Sequence, residues 1–414
     1  CPFEGGCPKL SAYRIKVEMK YIYFRLRNSS LFKDSFWALL GSALGKGLAL
    51  IAGIAVARFL GNEVYGEYGM IRNNLTMIAV FSSLGLGYTS TKFIAESKDK
   101  DHEKVNIVHK IVSNITLVTS LLIMLVVLIF ASPISLWLEA DGLDKLLRLS
   151  SVAIVFNAIN STQIGELSGF NAYKKIAKNN TWTGIITFIT SIVLTYYYNI
   201  VGAVIALIIS LLFNCTLNHL TLKQYLKKTT LKYHLDSLLQ YKEIIRFSLP
   251  VALQESTYSI TSWIGTVIMI KYAGYGELGI YAVATQWLAV MLFVPGSLRN
   301  VALSHLSETN DCIEANKHIL KQMSFVNFMA TFVPFLIICI FSSWICRWYG
   351  TSYEGLQFVL NICIFSSIIN ALLNALTQNL VALNQNWFLF CSRFVKDILA
   401  LITCVIIIQN GCRG

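Results

Sequence analysis

Charged residues are scarce in this chain. Asp, Glu, Lys and Arg make up only 14% of its 414 residues, whereas an ordinary soluble domain carries about 25%. Hydrophobic residues account for 55%. This balance argues against a soluble domain and indicates that lipid is the main solvent of the folded protein.

Patterns that would support chemistry are also missing. None of the ten cysteines forms a CxxC pair or a Cys/His cluster with zinc spacing. There is no Gly-rich phosphate loop and no nucleophile–base constellation. The sequence therefore predicts no metal site, no cofactor and no enzyme. Seven cysteines lie in or beside apolar runs instead: Cys215, Cys339, Cys346, Cys363, Cys391, Cys404 and Cys412.

Residues 1–18 lack the apolar core of a signal peptide. The chain opens with Cys1, and its first methionine is Met19. We expect translation to begin at Met19 and the preceding residues to be a non-native extension.

Long apolar runs dominate what remains. Eleven segments are long enough to cross a bilayer, which takes about 20 helical residues. Their apolar residues are continuous rather than alternating, which favours helices over barrel strands. The predicted fold is therefore an all-α polytopic membrane protein. The approximate segments are Phe36–Phe59, Tyr68–Leu86, Ile111–Ala131, Leu146–Gln163, Thr183–Tyr198, Ile200–Leu220, Phe247–Ile270, Ile280–Leu303, Val326–Ile345, Leu356–Leu376 and Phe388–Ile408.

Basic residues concentrate in every second loop. The loops after segments 2, 4 and 6 carry clusters of lysine, whereas the loops after segments 3, 5 and 9 are nearly free of basic residues. The positive-inside rule then places the N-terminus in the cytoplasm. The net charge of +12 is explained by this orientation, and no nucleic-acid partner is expected.

A turn motif recurs after 213 residues. Each copy closes one apolar segment and opens the next, which requires a tight turn of the kind that glycine permits. Six segments per unit predict two parallel six-helix lobes related by an axis along the membrane normal. The matching residues are Gly61, Gly66 and Tyr68 in "FLGNEVYGEYGM" and Gly274, Gly279 and Tyr281 in "YAGYGELGIYAV".

The repeat divides the chain into four predicted parts. These are a cytoplasmic N-terminal segment (1–33), a first lobe (34–222), an amphipathic cytoplasmic linker (223–242) and a second lobe (243–414). Gly414 falls where Gly202 opens the sixth segment. We therefore expect a twelfth helix to be missing from this sequence.

The stretch "FWALLGSALGKGLALIAGIAVARFLGNEVYGEYGMI" (36–71) resembles the first helix pair of the Wzx-type polysaccharide biosynthesis proteins, the O-antigen and capsule flippases of the MOP superfamily. The most specific piece is "ARFLG-x4-GEYG"; residues 199–207 and 284–308 also resemble the family. The resemblance implies a MATE-like fold, a place in the inner membrane of a bacterium, and transfer of a polyprenyl-diphosphate-linked oligosaccharide to the periplasmic leaflet. It implies the lipid-linked oligosaccharide, the bilayer and other polysaccharide assembly proteins as partners.

Lys46 is the clearest candidate for substrate binding. An ionisable group at membrane depth costs about 2.5–3.5 kcal/mol and marks a functional site by default. Lys46 follows Phe36 by ten residues, which places it about 15 Å into its helix. We predict that it faces a central cavity and meets substrate phosphate. The alternative is a structural lysine paired with a carboxylate.

Two carboxylates are candidates for a coupling-ion site. Glu255 maps onto Ser42 by the repeat, one turn from Lys46, so a contact between Lys46 and Glu255 is geometrically plausible. The alternative for Glu255 is a hydrogen-bonded packing residue. Asp397 lies four residues after Arg393, and the two are expected to pair.

Four further cations are predicted to line the cavity: Arg72, Arg299, Arg393 and Lys396. Each has an alternative. Arg72 suits an interfacial arginine that reaches lipid phosphate, Arg299 suits a snorkelling side chain, and the other two suit a helix end in the cytoplasm.

The predicted mechanism is alternating access between the two lobes. One alternative is a cation-coupled multidrug exporter of the same superfamily, which would need an acidic cavity. Another is a membrane-bound glycan polymerase or ligase, against which the short outer loops argue.

Overall fold

The computed structural model describes residues 30–137, 142–226, 236–296, 313–382 and 385–409. These ranges contain nine helices of eight or more residues and no strand, which confirms the all-α prediction. The helices are α1 (Ser30–Ser83), α2 (Leu86–Ser97), α3 (His102–Trp137), α4 (Leu143–Gly169), α5 (Tyr173–Tyr225), α6 (Asp236–Met291), α7 (Ile313–Tyr349), α8 (Leu356–Ala382) and α9 (Asn386–Gln409).

Three of these helices consist of two arms joined by one non-helical residue. The break lies at Gly61 in α1 (φ 73°, ψ 171°) and at Gly274 in α6 (φ 86°, ψ 177°). These two glycines are the turn residues of the sequence repeat, and their nearly equal backbone angles confirm that the turn recurs. In α5 the break lies at Asn199 (φ 54°, ψ −137°). Positive φ is costly for most residues with a side chain but is open to glycine.

The two arms of α5 fold back on each other. The hydroxyls of Thr187 and Ser210 are within hydrogen-bond distance although 23 residues separate them. In a straight helix these residues would be about 35 Å apart. With the arms counted separately, each of the eleven predicted segments coincides with a described helix over all or part of its length. The part of Ile280–Leu303 beyond residue 296 and the linker residues 227–235 lie outside the described residues.

By length and hydropathy, five helices of the described ranges qualify to cross a membrane, namely Gly41–Ser83, His102–Trp137, Tyr173–Tyr225, Asn316–Tyr349 and Leu356–Leu380. Two of these contain two spans each, since they include the turns at Gly61 and Asn199. Large apolar side chains such as Ile129 and Ile340 are exposed on the outside of the bundle. An apolar exterior of this extent is unfavourable in water and suits a lipid environment.

One feature of the loops differs from the sequence prediction. The basic connection after the second segment was expected to be a loop, but it consists mainly of helix α2 and the first turns of α3. A break at Leu84 and Gly85, both with positive φ, separates α2 from the second arm of α1. Apolar periodicity did not reveal α2 because the helix has only 12 residues and its buried face includes hydroxyl residues such as Thr89 and Ser90.

The second arms of α1 and α6 cross at a glycine contact near their turns. A Cβ on Gly66 would overlap the carbonyl oxygen of Tyr275, and one on Gly279 would overlap that of Asn62. Asn62 and Tyr275 are also 213 residues apart, so the contact is reciprocal between the two repeats. We call the end of the bundle that contains these turns the turn end. The opposite end, which carries Lys98, Lys174 and their neighbours, is the lysine-rich end.

Candidate binding cavity

A cavity of about 300 Å³ opens between α1, α5 and the second arm of α6. Its polar wall consists of Lys46, Tyr65, Tyr68, Arg72, Thr187, Ser191 and Gln286. Apolar residues such as Val56, Leu207 and Val290 complete it. Lys46 and Arg72 lie 15 and 11 residues from Gly61, which is about 22 and 16 Å along the helix axis. The cavity is therefore near the middle of the bundle.

Arg72 projects from the second arm of α1 into this cavity. Its guanidinium lies 5.9 Å from the ring centroid of Tyr68 and is also close to the hydroxyl of Tyr65. The side chain is exposed although it lies deep in the bundle, because the cavity itself provides that accessible surface. Its donors are therefore positioned by two tyrosines and face open space.

Lys46 lies across the cavity on the first arm of α1. Its ammonium group is 4.6 Å from the ring centroid of Phe293, a cation–π contact. No Asp or Glu is found among the described residues of the cavity wall. The predicted contact with Glu255 stays a prediction, because the side chain of Glu255 lies outside what the structure describes.

Gln286 joins three helical arms beside the two cations. Its Oε1 accepts a hydrogen bond of 3.2 Å from the Tyr65 hydroxyl. Its Nε2 donates to the carbonyl oxygens of Ala49 and Leu50, each at 3.4 Å. Gly53 leaves the space that this amide occupies, since a Cβ there would overlap it. A side chain of α6 thus holds both arms of α1 together at the cavity.

Of the remaining candidate residues, those that the structure describes are outside this cavity. Arg299 lies outside the described residues. Arg393, Lys396 and Asp397 are on α9, which packs against α6 and α8, and none of them is in the described cavity wall. The predicted pairing of Arg393 with Asp397 is wrong: Asp397 pairs with its neighbour Lys396, at 2.8 Å. The i,i+4 spacing permits a contact, but side-chain direction on the packed helix decides the partner.

Sequence reasoning missed several polar residues. Tyr65 and Tyr68 lie within the recognised motif, but only the fold directs them toward Arg72. Gln286 had no distinguishing signal beyond being an amide in an apolar segment. Glu166, a carboxylate buried at the lysine-rich end of α4, was detectable as an ionisable group beside the fourth segment. Among the described residues, no group of three His, Cys, Asp or Glu is arranged to hold a metal ion.

The fold is that of a multi-pass membrane protein, and it has solved counterparts. A solved inward-facing multidrug-resistance MATE transporter of the MOP superfamily has a TM-score of 0.64 at 16% identity, covering 89% of this chain and 95% of its own. A MOP transporter from Pyrococcus furiosus, described as having a binding pocket of reverse polarity, has a TM-score of 0.61 at 15% identity, covering 93% and 90%. These likenesses confirm the predicted MATE-like fold.

The family follows from the sequence comparison. The model of the polysaccharide biosynthesis protein family matches residues 31–298, and the chain belongs to this family. A candidate O-antigen transporter of Shigella flexneri is 20% identical over 351 residues, which cover 83% of this chain and 82% of that protein. The resemblance to Wzx-type proteins stated from the sequence is thereby confirmed.

Proposed function

We propose that this protein transfers a polyprenyl-diphosphate-linked oligosaccharide from the cytoplasmic to the periplasmic leaflet of a bacterial inner membrane, for surface polysaccharide assembly. The observation that carries the proposal is the charge of the cavity: Lys46 and Arg72 face it, and its described wall contains no carboxylate. A diphosphate loses its hydration on entering the bundle. Fixed cations offset that cost, since charge–charge attraction strengthens where water is excluded.

The size of the cavity suits a headgroup rather than a whole lipid. Small-molecule sites have volumes of about 300–1,000 Å³, so this cavity is at the lower end of that range. It accommodates the diphosphate and the adjoining sugar, while the polyprenyl chain stays in the bilayer. Exposed apolar residues of the first arm of α1, such as Leu44 and Ile51, provide a lipid-compatible surface next to Lys46.

The orientation is part of the same proposal. The lysine-rich end faces the cytoplasm by the positive-inside rule. At the turn end the two repeats close on each other through Gly66 and Gly279. Loading from the cytoplasm and release after separation of the turn end would constitute alternating access.

The test is transport of a labelled polyprenyl-diphosphate-linked oligosaccharide in proteoliposomes, scored by accessibility of the sugar on each side. We expect Lys46→Ala and Arg72→Ala each to lower the affinity for the lipid-linked oligosaccharide about tenfold or more, and transport with it. A hydrogen bond to a charged group contributes about 1.5–3 kcal/mol. Arg58→Ala is the matched control, since Arg58 is a cation of α1 outside the described cavity wall. Equal transport by all three variants and the wild type would overturn the proposal.

Two alternatives have distinct outcomes in the same preparation. Efflux of a cationic dye that depends on Lys46 or Arg72 would favour a multidrug exporter, although a cavity with two cations repels such cargo. Glycan elongation by the purified protein would favour a polymerase or ligase.

A further inference from the structure

The lysine-rich end carries an exposed basic patch where the two arms of α5 begin and end. Lys174, Lys175 and Lys178 lie in the first turns of the first arm, and Lys223 lies in the last turn of the second arm. All four residues are exposed. Nζ of Lys175 donates to Oε1 of Gln224 at 3.5 Å, so the ends of the two arms meet and their cations share one surface. We call these four lysines the α5 basic patch.

No carboxylate of α5 balances this charge, because the 53 residues of the helix include neither Asp nor Glu. One turn before Lys223, His219 is within electrostatic reach of Lys223 and of Glu166 on α4. The side chain of Glu166 is only 1% exposed, and its Oε1 is already paired with Nδ1 of His109 at 2.9 Å. A buried and paired carboxylate cannot approach cations at the surface, so the α5 basic patch keeps a net positive charge.

A second lysine cluster at the same end has a different balance of charge. The turn between α2 and α3 has three lysines, but four acidic residues lie among them. The positive-inside rule depends on Lys and Arg and hardly on Asp and Glu, so both clusters serve orientation. Of the two, only the α5 basic patch also presents uncompensated charge to an anionic partner. The residues of the α2–α3 turn are Lys98, Lys100 and Lys104 with Glu96, Asp99, Asp101 and Glu103.

Exposed apolar side chains follow the patch toward the middle of the bundle. Trp182 lies four residues after Lys178, on the same helix face, and Leu220 lies three residues before Lys223. These side chains are 51% and 53% exposed. Tryptophan is enriched where headgroups meet acyl chains, and the apolar stem of lysine lets its ammonium group reach from that depth to the headgroups. The surface is therefore layered like a phospholipid, with cations at one level and apolar side chains at the next.

We propose that the α5 basic patch binds the phosphate headgroup of a phospholipid with net negative charge in the cytoplasmic leaflet. The phosphate oxygens accept charge-assisted hydrogen bonds from the lysine ammonium groups, and the acyl chains lie along Trp182 and Leu220. This lipid is a partner on the outside of the bundle. None of the four lysines is in the described wall of the cavity, so the site is separate from the one proposed for the transported headgroup and does not depend on it.

The test is binding of phosphatidylglycerol to the full chain in micelles of an uncharged detergent, measured by native mass spectrometry at increasing lipid concentration. Phosphatidylcholine, which has no net charge, is the reference lipid. Two triple variants remove three lysines each from the same end of the bundle. The patch variant is Lys175→Gln/Lys178→Gln/Lys223→Gln, and the matched control is Lys98→Gln/Lys100→Gln/Lys104→Gln.

We expect the wild type to bind phosphatidylglycerol more tightly than phosphatidylcholine, and added salt to weaken this preference by screening. The patch variant should lose affinity for phosphatidylglycerol by about fivefold for each lysine removed, whereas the control variant should bind it like the wild type. Substitution of exposed lysines is usually well tolerated, and the midpoint of thermal unfolding without added lipid checks the fold. If that midpoint falls in the patch variant, the single variants Lys178→Gln and Lys100→Gln are compared instead.

Equal loss of affinity in the patch and control variants would overturn the inference, since binding would then follow total charge rather than the patch. Equal binding of the two phospholipids by the wild type would overturn it as well. Farnesyl diphosphate is added in a separate arm, because its phosphates offer the same chemistry as a phospholipid headgroup. Displacement of bound phosphatidylglycerol by an equal concentration of farnesyl diphosphate would assign the patch to the transported lipid and also contradict the proposal.

Discussion

The hydroxyl of Tyr65 donates a hydrogen bond of 3.2 Å to Oε1 of Gln286, and this bond connects the two sequence repeats at the cavity. Tyr65 is almost fully buried, and its hydroxyl is also close to the Arg72 guanidinium. We expect a ligand that draws this guanidinium toward itself to change the surroundings of Tyr65 and, through Gln286, the contact between α1 and α6.

Removal of the amide should loosen that connection. Gln286→Leu keeps the approximate volume but leaves the Tyr65 hydroxyl without its acceptor, which costs about 1–3 kcal/mol. We expect a lower midpoint of thermal unfolding in detergent. Thr285→Val is the matched control, because the Thr285 hydroxyl bonds the Ala282 carbonyl of its own helix. Equal midpoints for the two variants would contradict the role assigned to Gln286.

A carboxylate at the same position should change the preferred charge of the ligand. Gln286→Glu places an anion beside Tyr65 and Arg72, where it can pair with the guanidinium. We expect weaker binding of farnesyl diphosphate, by about tenfold or more, measured by titration calorimetry in detergent. Unchanged affinity would show that the diphosphate does not use this side of the cavity.

Closure at the turn end should depend on the absence of side chains. Gly66→Ala or Gly279→Ala introduces a methyl group against a backbone carbonyl of the other repeat, and overpacking of this kind typically costs about 1–3 kcal/mol. Hydrogen exchange at the turn end should increase. The control is Gly265→Ala, since a Cβ there meets no atom within 4 Å. Protection that stays at the wild-type level in Gly66→Ala would argue against a close crossing.

A covalent link across the crossing should arrest transport. A Cβ on Gly69 would lie 3.1 Å from that of Ala282, and these positions are again 213 residues apart. Disulfides have Cβ separations of about 3.5–4.5 Å, so a small shift suffices for Gly69→Cys/Ala282→Cys. We expect oxidation to stop headgroup transport and reduction to restore it. Transport that continues in the oxidised protein would show that the turn end does not need to open.

Much of the architecture could be predicted because it depends on local pattern. A span is an uninterrupted apolar run of bilayer length. The turns at Gly61 and Gly274 each require a positive φ at one residue, which glycine adopts. Helix α2 was not predicted because it is short and hydroxyl residues such as Thr89 and Ser90 interrupt its buried apolar face. The division into two six-helix lobes with a cytoplasmic linker stays a prediction.

The binding site was less accessible to the same reasoning. Depth along a helix selected Lys46, and the structure places it in the cavity wall together with Arg72. Depth alone also selected Arg393 and Lys396, but these residues lie on α9, outside the described cavity wall. The partner of Asp397 was mistaken because helical spacing restricts the possible neighbours but does not choose between Lys396 and Arg393.

The amino-acid sequence by itself determined that this protein resides in a membrane, which stretches form its spans, where two of its turns lie, and to which family it belongs. These properties follow from composition and short-range periodicity, because these local features decide which stretches are more stable in lipid than in water. Only the tertiary structure decided that Lys46 and Arg72 share one cavity, that Gln286 joins the repeats there, and that Glu166 pairs with His109. Such contacts join residues that are tens to hundreds of positions apart, and they depend on the rotation and crossing of packed helices, which no local pattern specifies.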